Sequence, residues 1–165
     1  MNYKSFISDI PDFPKKGIIY KDIQPLLAHH VAFESAIKDM GNLIEEIPNY
    51  WVGIESRGFL FASALAFHFG GGVRIIRKKG KLPNEDINSV EYGLEYGRDE
   101  LEMAILPQHD LGSCVIVDDV LATGGTIDAA TDLCRLHGLQ IIDKLVLVDI
   151  GLYNGYDVKS LISYE

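Results

Sequence analysis

The chain has 165 residues, 47% of them apolar, with 24 acidic against 15 basic side chains and a formal net charge of −9. That composition suffices for one buried core and excludes a disordered chain. The acidic balance argues against a nucleic-acid binder with a broad basic face, so any anionic ligand must be held by local groups working against the overall field.

In chain order, the opening MNYKSFISDIPDFPKKG lacks an apolar stretch of signal-peptide length. No run elsewhere reaches the roughly 20 apolar residues of a membrane span, so a cytoplasmic protein without membrane attachment is expected. Pro11, Pro14, Gly17 and Pro25 predict an irregular arm with at most a short strand at Ile18–Tyr20. Phe33, Ile37, Met40, Ile44 and Ile47 recur at helical steps, predicting an amphipathic helix that ends near Pro48. YWVGI reads as a strand, GFLFASALAFHFG as a mostly buried helix closed by Gly70, and GVRII and LEMAIL as further strands. SCVIVDD is a strand followed by the helix TIDAATDLCRLHG; IIDKLVLVDI is the next strand, and VKSLISYE adds a short edge. Near-continuous Val/Ile/Leu strands joined by helices predict an α/β fold with a mainly parallel central sheet flanked by helices. Cys114 and Cys134 lie in apolar runs without a CxxC or Cys/His cluster, which points to reduced core thiols and not to a structural metal site.

The polar, glycine-dotted segment 77–100, RKKGKLPNEDINSVEYGLEYGRDE, resists this scheme. Its length suits a flexible lid over a site; the plainer alternative is a protruding two-stranded hairpin without chemistry.

In an open parallel sheet, ligands bind at the carboxyl ends of the strands. Segment 77–100 is one of three loops at such ends; the others are ESRG at Glu55–Gly58 and the end of VIVDDVLATGGTI at Val115–Ile127. Gly124 and Gly125 let backbone amides approach an anion, Thr123 and Thr126 add hydroxyl donors, and a helix N-terminus follows. Taken alone, TGGT reads equally well as a capped strand-to-helix turn. Asp118 and Asp119 immediately upstream would repel a phosphate unless vicinal sugar hydroxyls or a magnesium ion lay between, so the combination suggests a phosphorylated sugar. Arg57 offers a planar cationic fork for a second anionic group, or is an exposed turn residue. Arg77, Lys78, Lys79 and Lys81 could meet the same anion, although the default reading of such a run is a solvated face.

VIVDDVLATGGTI resembles the phosphoribosyl-pyrophosphate motif of the type I phosphoribosyltransferases. The blocks IPDFPKKGIIYKDIQPLL, GIESRGFLFASALA, IRKKGKLP, YGLEYGRDELEM and SLISYE run in order over almost the whole chain and resemble the adenine-using branch of that family. The resemblance implies a single domain, 1–165, with an amino-terminal hood at 1–30 and a lid at 77–100. It implies transfer of 5-phosphoribose from phosphoribosyl pyrophosphate to adenine, with magnesium held mainly through substrate oxygens and water, in a homodimer that binds neither nucleic acid nor membrane. By position, Asp118 and Asp119 are expected at the ribose hydroxyls, and Ala122, Thr123, Gly124, Gly125 and Thr126 at the 5′-phosphate. Glu55, Ser56 and Arg57 are expected to form a pyrophosphate loop of unusual peptide geometry, with Arg77 and Lys81 nearby. Tyr20 is expected to stack on adenine opposite Val120, while the backbone of Ile19 and Lys21 reads the ring edge. Glu95 and Tyr96 match the lid's catalytic pair, beside Arg57, and Glu95 would accept or share the purine proton.

Departures from the family pattern are Ala62 for a frequent glycine, Lys21 for an arginine, and the acidic lid stretch NEDINSV. The alternatives are the same transfer to guanine, hypoxanthine or xanthine, or a non-catalytic sensor of phosphoribosyl pyrophosphate. Such a sensor would need a nucleic-acid-binding element that this acidic chain does not offer.

Overall fold

The computed structural model describes residues 1–94, 97–108, 111–155 and 157–164. The proline-rich arm is more ordered than its composition predicts. After a 3-10 turn at Tyr3–Phe6, β1 (Ser8–Pro11) pairs antiparallel with β2 (Ile19–Asp22), across a turn containing a cis Phe13–Pro14 bond and Gly17 at φ 90°. The arm is pinned from below: the buried Tyr3 hydroxyl lies 2.7 Å from Ser35 Oγ and 2.5 Å from Asp39 Oδ2, on the next long helix.

A short helix α1 (Gln24–Ala28) precedes α2 (His30–Gly41), whose first turn is capped by His29 Nδ1 accepting from the Ala32 N–H at 3.1 Å. The expected extension of α2 to Pro48 does not form. The helix ends at Gly41, where a Cβ would overlap the Phe69 ring. Ile44 still packs on the core from a turn, while Ile47 is exposed.

The remaining elements are β3 (Tyr50–Ile54), α3 (Gly58–Phe69), β4 (Gly72–Lys78), β5 (Ile87–Leu94), β6 (Gly97–Ala104), β7 (Ser113–Leu121), α4 (Gly125–Leu136), β8 (Gln140–Asp149) and β9 (Lys159–Ser163). Seven strands form one sheet in the order β5-β6-β4-β3-β7-β8-β9. The five from β4 to β9 are parallel, and β6 and β5 add antiparallel at one end. The described residues of segment 77–100 thus lie largely in an antiparallel hairpin that extends the sheet.

Both sheet faces are covered. Trp51, Val115, Val117, Leu145 and Leu147 meet α2 and α3 on one side, and Val52, Ile54, Ile116 and Val146 meet α4 on the other. Full burial of side chains of this size contributes about 1.5–3 kcal/mol each before entropy is charged against it. Cys114 and Cys134 are free, buried thiols in the second layer. One expectation needs correction: α3 is not buried all round. Phe61, Ala62 and Leu65 face the core, but Phe67 is 95% and Leu60 46% exposed, about two turns apart on the outer face. Among the described residues, no helix is long and apolar enough to cross a membrane.

Candidate active site

The carboxyl ends of β3, β4 and β7 lie side by side because these strands are parallel neighbours, and the loops leaving them converge. At the end of β7 the chain turns through Gly124, at φ 90°, into the N-terminus of α4. Residues Ala122–Thr126 wall a cavity of about 160 Å³ whose lining contains no basic side chain. An anion there is met by amide N–H groups, threonine hydroxyls and the positive end of the helix.

Asp118 and Asp119 stand one step back on the strand. Asp118 Oδ1 accepts from the Asp119 N–H at 2.9 Å. Burial raises the Asp118 carboxyl well above its ordinary range, and the Asp119 charge adds to that. Burial raises Asp119 too, against the opposing pull of the Arg57 guanidinium. Asp119 is 5% exposed; its Oδ2 lies 2.7 Å from Arg57 Nε yet accepts no aligned hydrogen bond among the described residues. A buried carboxylate oxygen in this condition is costly, and a hydroxyl donor would satisfy it. Among the described residues no three acidic, histidine or cysteine side chains converge as a metal cage. Two carboxylates supplemented by ligand oxygens and water are a donor set that suits magnesium.

The loop after β3 begins with a cis Glu55–Ser56 peptide bond. Glu55 gathers the base of the neighbouring β4 loop: it accepts from Lys78 N–H at 2.9 Å, from Arg77 Nε at 3.3 Å and from Lys81 Nζ. Burial alone would raise its carboxyl, but these donors bring it down to about 2. Arg77 and Lys81 are further joined by Arg77 Nη1 donating to Lys81 O at 3.1 Å. The turn between them is held by Glu102, almost fully buried, which accepts from Gly80 N–H at 2.9 Å. Sequence reasoning missed Glu102; the available signal was an acid at an alternating position inside LEMAIL, where a solvated strand face was the easier reading.

Arg57 reaches across to the arm. Its Nη1 donates to Tyr20 Oη at 2.5 Å and to Lys21 O at 3.2 Å, and its Cζ lies 4.7 Å from the Tyr20 ring centroid. β2 alternates, so Tyr20 turns toward Arg57 while Ile19 and Lys21 line a second cleft of about 790 Å³ with Ala122, Thr123, Leu152 and Tyr164. Tyr20 does not line that cleft. Val120 instead borders a 270 Å³ cavity together with Ser56, Arg57, Asp118 and Asp119. The roof of that cavity is Tyr92 of β5, whose hydroxyl lies 3.3 Å from Asp99 Oδ2 and also bonds Thr126. Tyr92, Tyr153 and Tyr164 were not singled out in the sequence. Glu95 and Tyr96 lie outside the described residues.

An anion cradle, a buried carboxylate pair and a cis-peptide loop ringed by basic residues, carried on a parallel sheet, define a phosphoribosyltransferase. Residues 23–159 match the phosphoribosyl transferase domain. The chain is 43% identical to the adenine phosphoribosyltransferase of Kosmotoga olearia, over 99% of this chain and 100% of that protein. It is similar to the crystal structure of adenine phosphoribosyltransferase from Thermoanaerobacter pseudethanolicus, with a TM-score of 0.89, 40% identity and coverage of 98% and 97% of the two chains. It is also similar to the Saccharomyces cerevisiae enzyme complexed with an imino-altritol bisphosphate and adenine, with a TM-score of 0.88, 30% identity and 96% and 95% coverage. The chain belongs to the adenine phosphoribosyltransferase family.

Proposed function

We propose that the chain transfers the 5-phosphoribosyl group of phosphoribosyl pyrophosphate to adenine, releasing AMP and pyrophosphate, as a step of purine salvage. The observation that carries this reading is the buried Asp119 oxygen without an aligned donor, set between the anion cradle at Ala122–Thr126 and the basic cluster at Arg57, Arg77 and Lys81. That order of acceptor and anion sites matches a sugar diol carrying a phosphate on one side and a pyrophosphate on the other.

In this reading the amides and hydroxyls of Ala122–Thr126 hold the 5′-phosphate, and Asp118 and Asp119 accept from the ribose hydroxyls. Glu55, Ser56 and Arg57 face the pyrophosphate, joined by Arg77 and Lys81. As the C1′–oxygen bond breaks, charge builds on the sugar, and the two carboxylates stabilise it. The adenine nitrogen forms the new bond to C1′ and loses its proton to Glu95, with Tyr96 beside it on the lid. Magnesium bound to the pyrophosphate oxygens would neutralise charge on the leaving group, with Asp118 and Asp119 the residues able to hold its waters. Residues 1–30 act as a hood: Tyr20 stacks on the base opposite Val120, and the backbone of Ile19 and Lys21 reads its edge. A carbonyl acceptor favours the amine of adenine over a 6-oxo group. Segment 77–100 closes over the reacting atoms and excludes water.

The working unit in this reading is a homodimer. Leu60 and Phe67 on the outer face of α3 are exposed, and so are Val73 and Ile75, each 40% exposed, on the strand β4 that follows it. An apolar stripe of this kind is the expected core of a self-complementary interface. The free thiols Cys114 and Cys134 accord with a reducing, cytoplasmic setting.

The test is direct. The protein is incubated with magnesium, phosphoribosyl pyrophosphate and each purine base in turn, and nucleotide is assayed. AMP formation with little product from guanine, hypoxanthine or xanthine supports the reading. Preference for a 6-oxo purine reassigns the acceptor, and no product with any base overturns catalysis in favour of a sensor.

A further inference from the structure

Tyr153 lies on the segment between β8 and β9, far in sequence from every residue given a role above. Its ring covers Gly124, the left-handed residue on which the cradle turns, so closely that a Cβ at Gly124 would overlap it. Gly155 is covered by the same ring from its own segment. The Tyr153 hydroxyl donates to Asp128 Oδ1 at 2.8 Å. Asp128 is the acidic residue in the first turn of α4, the turn whose amides form the cradle.

These contacts matter because of what the cradle lacks. Its lining carries no lysine or arginine. Affinity for a phosphate dianion therefore rests on oriented N–H groups and the helix N-terminus, a modest attraction that a carboxylate in the same turn opposes. Asp128 favours the helix but works against the ligand. A phenol that binds one of its oxygens from outside the cradle fixes that carboxylate away from the anion and draws off part of its charge as a hydrogen-bond donor. The ring performs a separate task, bracing the left-handed turn at Gly124 so that the amides are aligned before the ligand arrives.

We propose that Tyr153 is a positioning residue for the 5′-phosphate, holding Asp128 turned aside with its hydroxyl and the Gly124 turn in place with its ring. The inference rests on the proposed assignment of Ala122–Thr126 to the 5′-phosphate. It makes Tyr153 a determinant of affinity for the phosphorylated sugar that acts without touching it.

Four proteins test it: wild type, Tyr153→Phe, Asp128→Asn and the double variant, each titrated with ribose 5-phosphate and AMP by calorimetry and assayed for turnover. AMP binding and turnover by the wild type first establish the underlying reading; their absence overturns that reading and the inference with it. Given an active wild type, Tyr153→Phe is expected to weaken both ligands by about two- to fivefold, the scale of one charge at a helix N-terminus. KM for phosphoribosyl pyrophosphate should rise in step, with kcat and KM for adenine kept. Adding Asp128→Asn should restore the affinity, which a merely structural lesion would not do. Unchanged affinity in Tyr153→Phe, an equal loss for adenine, or no rescue by Asp128→Asn overturns the proposal. Tyr153→Leu, which removes the ring as well as the hydroxyl, should weaken both phosphorylated ligands beyond Tyr153→Phe; an affinity equal to that of Tyr153→Phe would overturn the bracing role of the ring.

Discussion

The guanidinium of Arg57 lies over the ring of Tyr20 and at the same time donates to the carbonyl of Lys21. A planar cation is thus seated on the aromatic face and the carbonyl that the proposed function gives to the base. If the base takes the same face of Tyr20 and the same lone pair of the Lys21 carbonyl, the residue assigned to pyrophosphate competes with it until drawn toward the leaving group. Arg57→Ala is expected to tighten adenine binding measured without phosphoribosyl pyrophosphate, while turnover falls steeply. Weaker adenine binding in that variant, read by equilibrium dialysis, would sink the competition.

Tyr20→Ala should raise KM for adenine on the order of tenfold, the scale of one base–aromatic stack. Tyr20→Phe should leave it near the wild-type value, because it keeps the ring and loses only the bond from Arg57. Steady-state kinetics at saturating phosphoribosyl pyrophosphate separates the two variants.

The raised carboxyls of Asp118 and Asp119 mark a conflict between stability and chemistry. A carboxyl whose folded-state pKa is raised binds its proton more tightly in the folded chain. Ionised at neutral pH, it therefore costs stability, and the cost fades as pH falls. Asp118→Asn keeps the acceptor for the Asp119 N–H while removing the charge. The variant should be more stable at pH 7 by about 1 kcal/mol, or ~2–4 °C in Tm, and nearly inactive. Calorimetry showing a lower Tm would contradict the sign.

Glu55 runs the other way. Its carboxyl is held near 2, so the stability it supplies is fully present above the ordinary carboxylate range and is lost as pH falls through about 4.5 toward 2. Urea melts of wild type and Glu55→Gln should differ by a constant amount at pH 5–7, and the two curves should merge toward pH 2. A difference that persists unchanged at pH 2 would show that the bonds to Arg77 and Lys81 do not depend on ionisation.

For the lid, Glu95→Gln should lower kcat by about 10²–10⁴-fold, the usual contribution of a positioned general base, with little change in binding of phosphoribosyl pyrophosphate. For the dimer, Phe67→Asp should convert the protein to a monomer in sedimentation velocity. A wild type that already sediments as a monomer would remove α3 from any interface.

The strands of the parallel sheet were legible because buried strands write unbroken runs such as SCVIVDD, and the site loops because they follow those runs at the carboxyl edge. What was not legible depends on partners distant in sequence. The packing of Gly41 against Phe69 joins two helices through residues 28 apart in the chain, and the exposed stripe of α3 hides in a helix apolar on every side. The hairpin in segment 77–100 was legible only as an alternative to a loop, because its strands, INSVEYGL and GRDELEMA, are too polar to signal burial. Arg57 was marked by its motif, but its bonds to Tyr20 and Lys21 follow from the arm folding back, which no local pattern records. Glu102 bonds a turn and Tyr153 the first turn of a helix, each more than twenty residues away, and such pairings leave no periodic trace.

The hairpin of β5 and β6 pairs with β4 at Arg77↔Glu102 and Lys78↔Leu101, reinforced by Lys79 N–H donating to Glu100 O and Arg74 Nη2 to Ala104 O. Its own two eight-residue strands, by contrast, pair along their whole length. Mechanically it is a stiff paddle on a short axle. It rests along α4, with Asn88 near His137 at one end of the helix and Gly93 against Gly125 at the other. Moving such a paddle as a unit keeps its own ladder intact but uncovers Leu101 and Met103, fully buried at its base. Its stroke is therefore opposed by lost burial and not by the entropy of ordering a free loop. The helix on which it lies begins at the anion cradle, so the paddle's seat and the sugar's phosphate end share one beam.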